Sequence, residues 1–156
     1  MTQAPKKTKA EDIADQISQK IDQFDGLADY STRELVEDAN KLGEKLVRTQ
    51  LKTTQIRKFL DAVNQLKAKI KAAKTPNDIE IVKAELPLLR AKLAYATARQ
   101  QKKDIESSPV EPLKKVLDIA IKRVRQDDCF PQDFTRLVQL IESIIAYHRY
   151  AGGKDQ

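Results

Sequence analysis

Apolar residues recur every three or four positions along almost the whole of this 156-residue chain, and a strict alternation of apolar and polar residues is sustained nowhere. The first spacing places apolar side chains on one face of a helix, whereas alternation is typical of a half-buried strand. The chain also holds only four glycines, too few for the many tight turns of a sandwich or barrel. The sequence therefore predicts an all-α fold and excludes an all-β one.

The apolar pattern indicates six or seven amphipathic helices, which capping residues, prolines and glycines separate. We expect helices over about 11–24, 31–46, 53–70, 75–87, 87–103, 112–124 and 133–150. The connections are short, no repeat is visible, and the length suits one domain. We therefore expect a single compact bundle over residues 11–154, preceded by a flexible basic tail over residues 1–10.

The net charge of +6 is unevenly distributed along the chain. Residues 11–44 hold ten acids and three bases, a net charge of −7, whereas residues 45–74 hold nine bases and one acid, a net charge of +8. Such a dipolar molecule could stack head to tail on copies of itself, and its basic face could bind a polyanion. These interpretations are compatible, and a third is that the lysine-rich faces are simply solvated.

Residues that commonly carry catalysis or bind metals are scarce. His148 lies at the edge of an apolar stripe, and Cys129 has no basic neighbour closer than Arg125, so both are interpreted as structural. One histidine and one cysteine cannot complete a zinc site, and no glycine-rich phosphate loop is present. We expect a protein that is not an enzyme and holds no metal or cofactor.

Two features of the sequence bear on its location. No apolar run approaches the roughly 18 residues of a membrane span, and the start MTQAPKKTKA lacks the apolar core of a signal peptide. The single cysteine cannot form an internal disulfide, as is usual in a reducing compartment. We expect a cytoplasmic protein without membrane contact.

A stripe on the fifth predicted helix is the first candidate binding site. Lys92, Tyr95 and Arg99 are spaced i, i+3 and i+7, so they form a cation, aromatic, cation row over about 10 Å of one helix face. Two bases that flank a phenol can bind successive phosphates while the ring packs on a sugar or base. In the alternative interpretation, Tyr95 is buried and both cations merely lie along the surface.

The start of the third predicted helix is the second candidate. Thr53 and Thr54 open this helix, whose free N–H groups would attract an anion, and Lys52, Arg57 and Lys58 add positive charge. No helix-turn-helix arrangement of base-reading groups accompanies either candidate. Any contact with nucleic acid is therefore expected to be with the backbone.

Three stretches together resemble the small helical subunit of the type III-A CRISPR interference (Csm) complex. They are LKTTQIRKF at residues 51–59, LPLLRAKLAYATAR at residues 86–99, and the segment 133–154, which contains AYHRYAGGK. The resemblance implies a non-catalytic all-α subunit that stacks in several copies along the duplex of guide RNA and target RNA, beside the other subunits of the complex. Its RNA-facing positions would correspond to Lys52, Thr53, Arg57, Lys58, Lys92, Tyr95 and Arg99.

Two other functions stay open at this point. The charge blocks could serve only self-assembly or docking, which would make the chain a helical protein–protein scaffold or adaptor with no direct contact to nucleic acid. An enzyme with an unusual site would have to use His148 or Cys129.

Overall fold

A computed structural model describes residues 12–156, so the expected basic tail over residues 1–10 lies outside the described part. The chain forms seven α-helices over this range, and three single 3₁₀ turns lie between them. Residues 12–156 contain no strand, only one isolated backbone bridge between Lys52 and Lys154. The all-α prediction is confirmed. The helices are α1 (Ile13–Asp22), α2 (Thr32–Arg48), α3 (Arg57–Ala72), α4 (Pro76–Glu85), α5 (Leu88–Arg99), α6 (Glu111–Lys122) and α7 (Phe130–Tyr150).

Side chains cap several helices at the positions that the sequence marks. The Ser31 hydroxyl accepts a hydrogen bond from the Glu34 N–H at 3.2 Å and begins α2. Thr75 and Asp78 bond reciprocally to each other's backbone N–H and begin α4, with Pro76 in its first turn. These bonds satisfy N–H groups that have no partner inside the helix.

Three helix boundaries differ from the prediction. Residues 53–56 form a 3₁₀ turn, and α3 begins only at Arg57. α5 ends at Arg99 rather than near residue 103, because the Ser107 hydroxyl accepts the N–H groups of Lys102 and Lys103 and draws that segment into a turn. α7 begins at Phe130, three residues earlier than expected.

The core lies between α2 and α7, which pack along each other, with α1 on α6 and α3 on α5 beside them. Gly43 of α2 faces the backbone of α7, where an added methyl group would lie 2.7 Å from the His148 nitrogen. A larger residue at this position would therefore push the two longest helices apart. The helices share one cluster of buried apolar side chains.

Two buried carboxylates tie loops to this core. Asp133 is fully buried and accepts hydrogen bonds from the backbone N–H groups of Ala28 and Arg125 and from the Arg125 guanidinium. Asp38 accepts from the buried Tyr30 hydroxyl at 2.6 Å and from Lys20. Both acids have partners, as buried charges require.

Candidate nucleic-acid interface

The two candidate sites, which are about 35 residues apart in the sequence, lie side by side in the structure. The turn before α3, the first turn of α3 and the outer face of α5 border one groove of about 280 Å³. Its lining residues are Thr54, Gln55, Ile56, Arg57, Lys58, Phe59, Lys92, Tyr95, Ala96, Arg99 and Gln100. Five of the seven candidate residues therefore line a single surface, which we call the basic groove.

Buried apolar residues set the direction of the charged side chains. Ile56 and Phe59 are each 1% exposed and hold the start of α3 against the core. Because Arg57 and Lys58 lie between them in the sequence, they are left on the outside. On α5, Leu89 and Leu93 are buried in the same way and leave Lys92, Tyr95 and Arg99 exposed.

The sequence left open whether Tyr95 is buried, and the structure shows that it is exposed. Its side chain is 59% exposed, so it is not a core residue. The Arg99 guanidinium donates a hydrogen bond to the Tyr95 hydroxyl at 3.3 Å, one helical turn along the same face. Exposed aromatic rings beside guanidinium groups can pack on sugars or bases while the cation meets a phosphate.

The four cations of the basic groove all lack a carboxylate partner among the described residues, whereas about half of the other described cations have one. Arg57, Lys58, Lys92 and Arg99 form no ion pair with any carboxylate of residues 12–156, and no carboxylate lines the groove. Other cations in the same range do have carboxylate partners: Lys20, Lys45, Lys67, Lys69, Lys83, Arg90, Lys114, Lys115, Arg123, Arg125 and Arg149. The groove thus concentrates positive charge that the described part of the chain does not neutralise.

Amide side chains connect the two walls of the groove. Gln55 accepts a hydrogen bond from the Lys52 N–H at 3.0 Å, and its amide nitrogen donates to the Gln100 side chain at 3.3 Å. The first contact fixes the turn before α3, and the second joins that turn to the end of α5. These bonds help to hold the two sets of cations at a constant separation.

The expected anion site at the N–H groups of Thr53 and Thr54 is not open, so that prediction is wrong. The Thr53 N–H donates to the Lys154 carbonyl at 3.1 Å, and the Thr54 N–H donates to the Asp155 carbonyl at 3.0 Å. The segment that follows α7 returns to this turn and takes both donors. Lys52 and Thr53 therefore lie beside the groove rather than in its lining.

The Asp155 side chain adds a negative charge at this edge. Its carboxylate accepts hydrogen bonds from the Thr53 hydroxyl at 2.9 Å and from the Arg149 guanidinium. The bond from Arg149 contributes most to lowering the pKa of Asp155, with further contributions from Thr53 and from the charge of Arg57. The charge of Arg57 therefore acts on this carboxylate, although the two residues form no ion pair.

Internal pairing reduces the acidic block that the sequence shows in residues 11–44. Bases from other segments pair with Asp12, Asp15 and Asp22, while Lys20 inside the block pairs with Glu34 and Asp38. Four described acids of the block keep no ion pair with the described cations: Asp25, Asp29, Glu37 and Glu44. The charge asymmetry is therefore still present in the folded chain. On the acidic side, however, the negative charge left without an ion pair is about half of the net charge that a sum over the sequence gives.

His148 and Cys129 both lie in structural surroundings. His148 is 1% exposed and its Nε2 donates to the Leu51 carbonyl at 2.8 Å, which ties α7 to the segment that follows α2. Gly153 packs on the imidazole so closely that an added methyl group would overlap the ring. Burial raises the pKa of the Cys129 thiol, which favours the unreactive protonated form.

No group of three or more histidine, cysteine or carboxylate side chains in residues 12–156 is arranged to hold a metal ion. No helix in that range is long and apolar enough to cross a membrane.

Sequence reasoning missed four residues that shape this surface. They are Gln55, Gln100, Arg149 and Asp155. Gln55 bonds to Gln100, and Asp155 to Thr53, across segments that are distant in the chain, and Arg149 joins this surface through Asp155. Only Gln55 left a local signal, because it lies three residues after Lys52, the spacing of a helix cap. The others became visible only once the fold was known.

The family model described as Csm2 Type III-A matches residues 29–154 of the chain. No curated protein matches it. The matched range contains the basic groove, the buried histidine and Lys154, whose carbonyl accepts the Thr53 N–H, whereas Asp155 lies just beyond it.

Proposed function

Because the family model covers residues 29–154 of the chain's 156 residues, the chain belongs to the Csm2 family of type III-A CRISPR Csm complexes, and we propose that it binds the RNA backbone in such a complex. Membership makes it a small subunit of that complex. In our proposal this subunit is not an enzyme and lines the duplex of guide RNA and target RNA. It acts in antiviral defence in the cytoplasm.

The observation that supports RNA binding is the basic groove. Arg57 and Lys58 on one wall, and Lys92 and Arg99 on the other, have no carboxylate partner in residues 12–156, so their charge is available to phosphates. Charges that neutralise phosphates release counterions, and this release dominates affinity for nucleic acid. The exposed Tyr95 ring between Lys92 and Arg99 can pack on a ribose.

The groove suits recognition of backbone better than recognition of sequence. Its lining offers cations, one phenol and a few amides, without a helix shaped to enter a groove of the nucleic acid and read base edges. Lys52 and Thr53 extend the same surface beside the groove. In RNA-guided systems base pairing reads the sequence while protein reads shape and backbone, so this division of labour fits the proposal.

Stacking of several copies along the duplex is the second part of the proposal. The unpaired acids Asp25, Asp29, Glu37 and Glu44 offer a negative surface on one copy. The exposed Lys71 at the end of α3 and Lys74 just after it, which form no ion pair with the described carboxylates, offer positive charge on the next. Opposite charges on these two surfaces would favour head-to-tail contacts between copies. We propose that residues 11–154 act as one domain in this arrangement.

Charge reversal tests the RNA contact directly. We expect R57E/K58E and K92E/R99E each to weaken binding to duplex RNA by about the same factor for every duplex sequence. The matched control is R33E/K41E, which makes the same change in charge at exposed positions of α2 outside the groove. Equal losses in the groove variants and the control would refute a specific role for the groove.

A protein–protein scaffold without RNA contact is the competing function, and the unpaired acids named above favour it. Light scattering of the chain alone at low and high salt, together with retention of RNA on a filter, separates the two. Salt-sensitive oligomers that retain no RNA would establish the scaffold and overturn the proposal.

A further inference from the structure

Arg149 is a cation of the same face that the sequence did not single out. It lies in the last turn of α7, and its side chain is 63% exposed. Its guanidinium donates to the Asp155 carboxylate, which also accepts from the Thr53 hydroxyl at 2.9 Å. Arg149, Thr53 and the nearby Arg57 therefore surround one carboxylate at the edge of the basic groove.

The chain itself brings that carboxylate to this position. Gly152, with φ of +102°, reverses the direction of the chain after α7, a backbone conformation that glycine adopts most readily. The following residues then run parallel to the turn before α3, with the Thr53 N–H on the Lys154 carbonyl and the Thr54 N–H on the Asp155 carbonyl. Two backbone hydrogen bonds thus hold the segment independently of the Asp155 side chain.

A carboxylate and a phosphate make the same demands on these partners. Both are anions that accept hydrogen bonds from guanidinium and hydroxyl groups, and arginine binds either of them in a planar, two-pronged contact. Asp155 is 52% exposed on its side chain, so its pair with Arg149 is a surface ion pair, which water and other anions can easily replace. The side chain can turn away while both backbone hydrogen bonds stay.

We propose that Arg149 and Thr53 form a phosphate subsite at the edge of the basic groove and that Asp155 occupies this subsite until an RNA phosphate displaces it. The inference rests on the proposed function and deepens it, because it adds Arg149 to the RNA-binding face. It also gives the face an internal competitor. The competitor lowers the affinity for RNA, and it keeps Arg149 oriented while no RNA is bound.

The test compares D155N with D128N in binding to a short duplex RNA at low salt. Both substitutions remove one negative charge, but Asp128 is an exposed residue just before α7, whereas Asp155 follows that helix, which has 21 residues and is about 30 Å long. We expect D155N to bind about two- to fivefold tighter than wild type, the usual range for a surface ion pair. D128N should change the affinity less.

A second substitution shows whether Arg149 is the partner. R149Q should weaken binding by a similar factor, and in that background the gain from D155N should fall to the level of D128N. Equal gains from D155N and D128N in the wild-type background would overturn the subsite. If wild type does not bind RNA, or if R57E/K58E binds RNA as tightly as wild type, the proposed function is refuted instead. Thermal melting of each variant confirms that the fold is retained, as the two remaining backbone hydrogen bonds predict.

Discussion

Replacement of Asp133 by alanine should destabilise the chain more than any change in the basic groove. The carboxylate is fully buried and accepts four hydrogen bonds, two from the Arg125 guanidinium at 2.9 and 3.1 Å and two from backbone N–H groups, of Ala28 at 2.8 Å and of Arg125 at 2.9 Å. Asp133→Ala removes all four and leaves those backbone donors without their acceptor. The Arg125 side chain, which is 31% exposed, can still reach water.

The expected cost follows from these contacts. Because one hydrogen bond contributes about 1 kcal/mol net, and more where a partner is charged, loss of all four lowers the free energy of unfolding by about 3–5 kcal/mol. For a chain of this size that corresponds to a fall in Tm of roughly 6–20 °C. Because Arg125 and Asp133 act as one unit, the double replacement by alanine should cost less than the sum of the two single replacements.

Acidity gives a second signature of the same cluster. Burial by itself raises the pKa of Asp133, but hydrogen bonds from Arg125 and from backbone N–H groups outweigh it, so the pKa lies below its usual value. A lowered pKa in the folded chain stabilises the fold above the unfolded value, about 3.9, and this contribution is lost as the pH falls through the folded value. The difference in unfolding free energy between wild type and Asp133→Ala should therefore be constant from neutral pH to about pH 5 and shrink below about pH 4.

Denaturant unfolding at a series of pH values measures both quantities. Asp128→Asn is the matched control, because that exposed neighbour should change stability by less than about 0.5 kcal/mol. A cost of less than about 1 kcal/mol for Asp133→Ala, or a difference from wild type that grows as the pH falls, would contradict this role of Asp133.

Three further substitutions test the fold around the interface by thermal and denaturant unfolding. Gly43→Ala should cost about 1–3 kcal/mol, because its methyl group would lie 2.7 Å from the His148 backbone; an unchanged Tm would contradict the close approach of α2 and α7. His148→Ala should cost about 2 kcal/mol or more, because it leaves the Leu51 carbonyl buried without its donor, and a neutral effect would show that water replaces the imidazole. Thr75→Ala should cost about 1 kcal/mol through loss of the α4 cap, whereas Thr75→Ser should be close to wild type.

The helices could be predicted from sequence because each buries a local stripe of apolar residues. Leu89 and Leu93 mark the inner face of α5 without reference to any other segment, and both are buried. The predicted helix boundaries were less accurate where hydrogen bonds to a distant or irregular segment determine them. The turn at residues 53–56 is the main case, since the backbone that takes its N–H groups arrives from a segment about 100 residues later.

The sequence predicted which residues belong to the candidate site, but it did not predict that they form one surface. The spacing of Lys92, Tyr95 and Arg99 placed them on one helix face, and the exposure of Tyr95 followed only from the fold. Arg57 and Lys58 lie across a groove from this row because of the way α3 packs on α5. The apolar periodicity of a single helix does not predict how two helices pack. Arg149 was missed for the same reason, because its contacts with this edge form through the returning segment.

The central claim is that the four unpaired cations of the basic groove bind RNA phosphates, and the salt dependence of affinity counts those contacts. If each cation meets one phosphate, the logarithm of the affinity for duplex RNA should fall against the logarithm of salt concentration with a slope steeper by about 3.6 than in the R57Q/K58Q/K92Q/R99Q variant. For the groove alone, a fourfold rise in salt then weakens binding about 150-fold. Equal slopes for wild type and the fourfold variant would contradict the account.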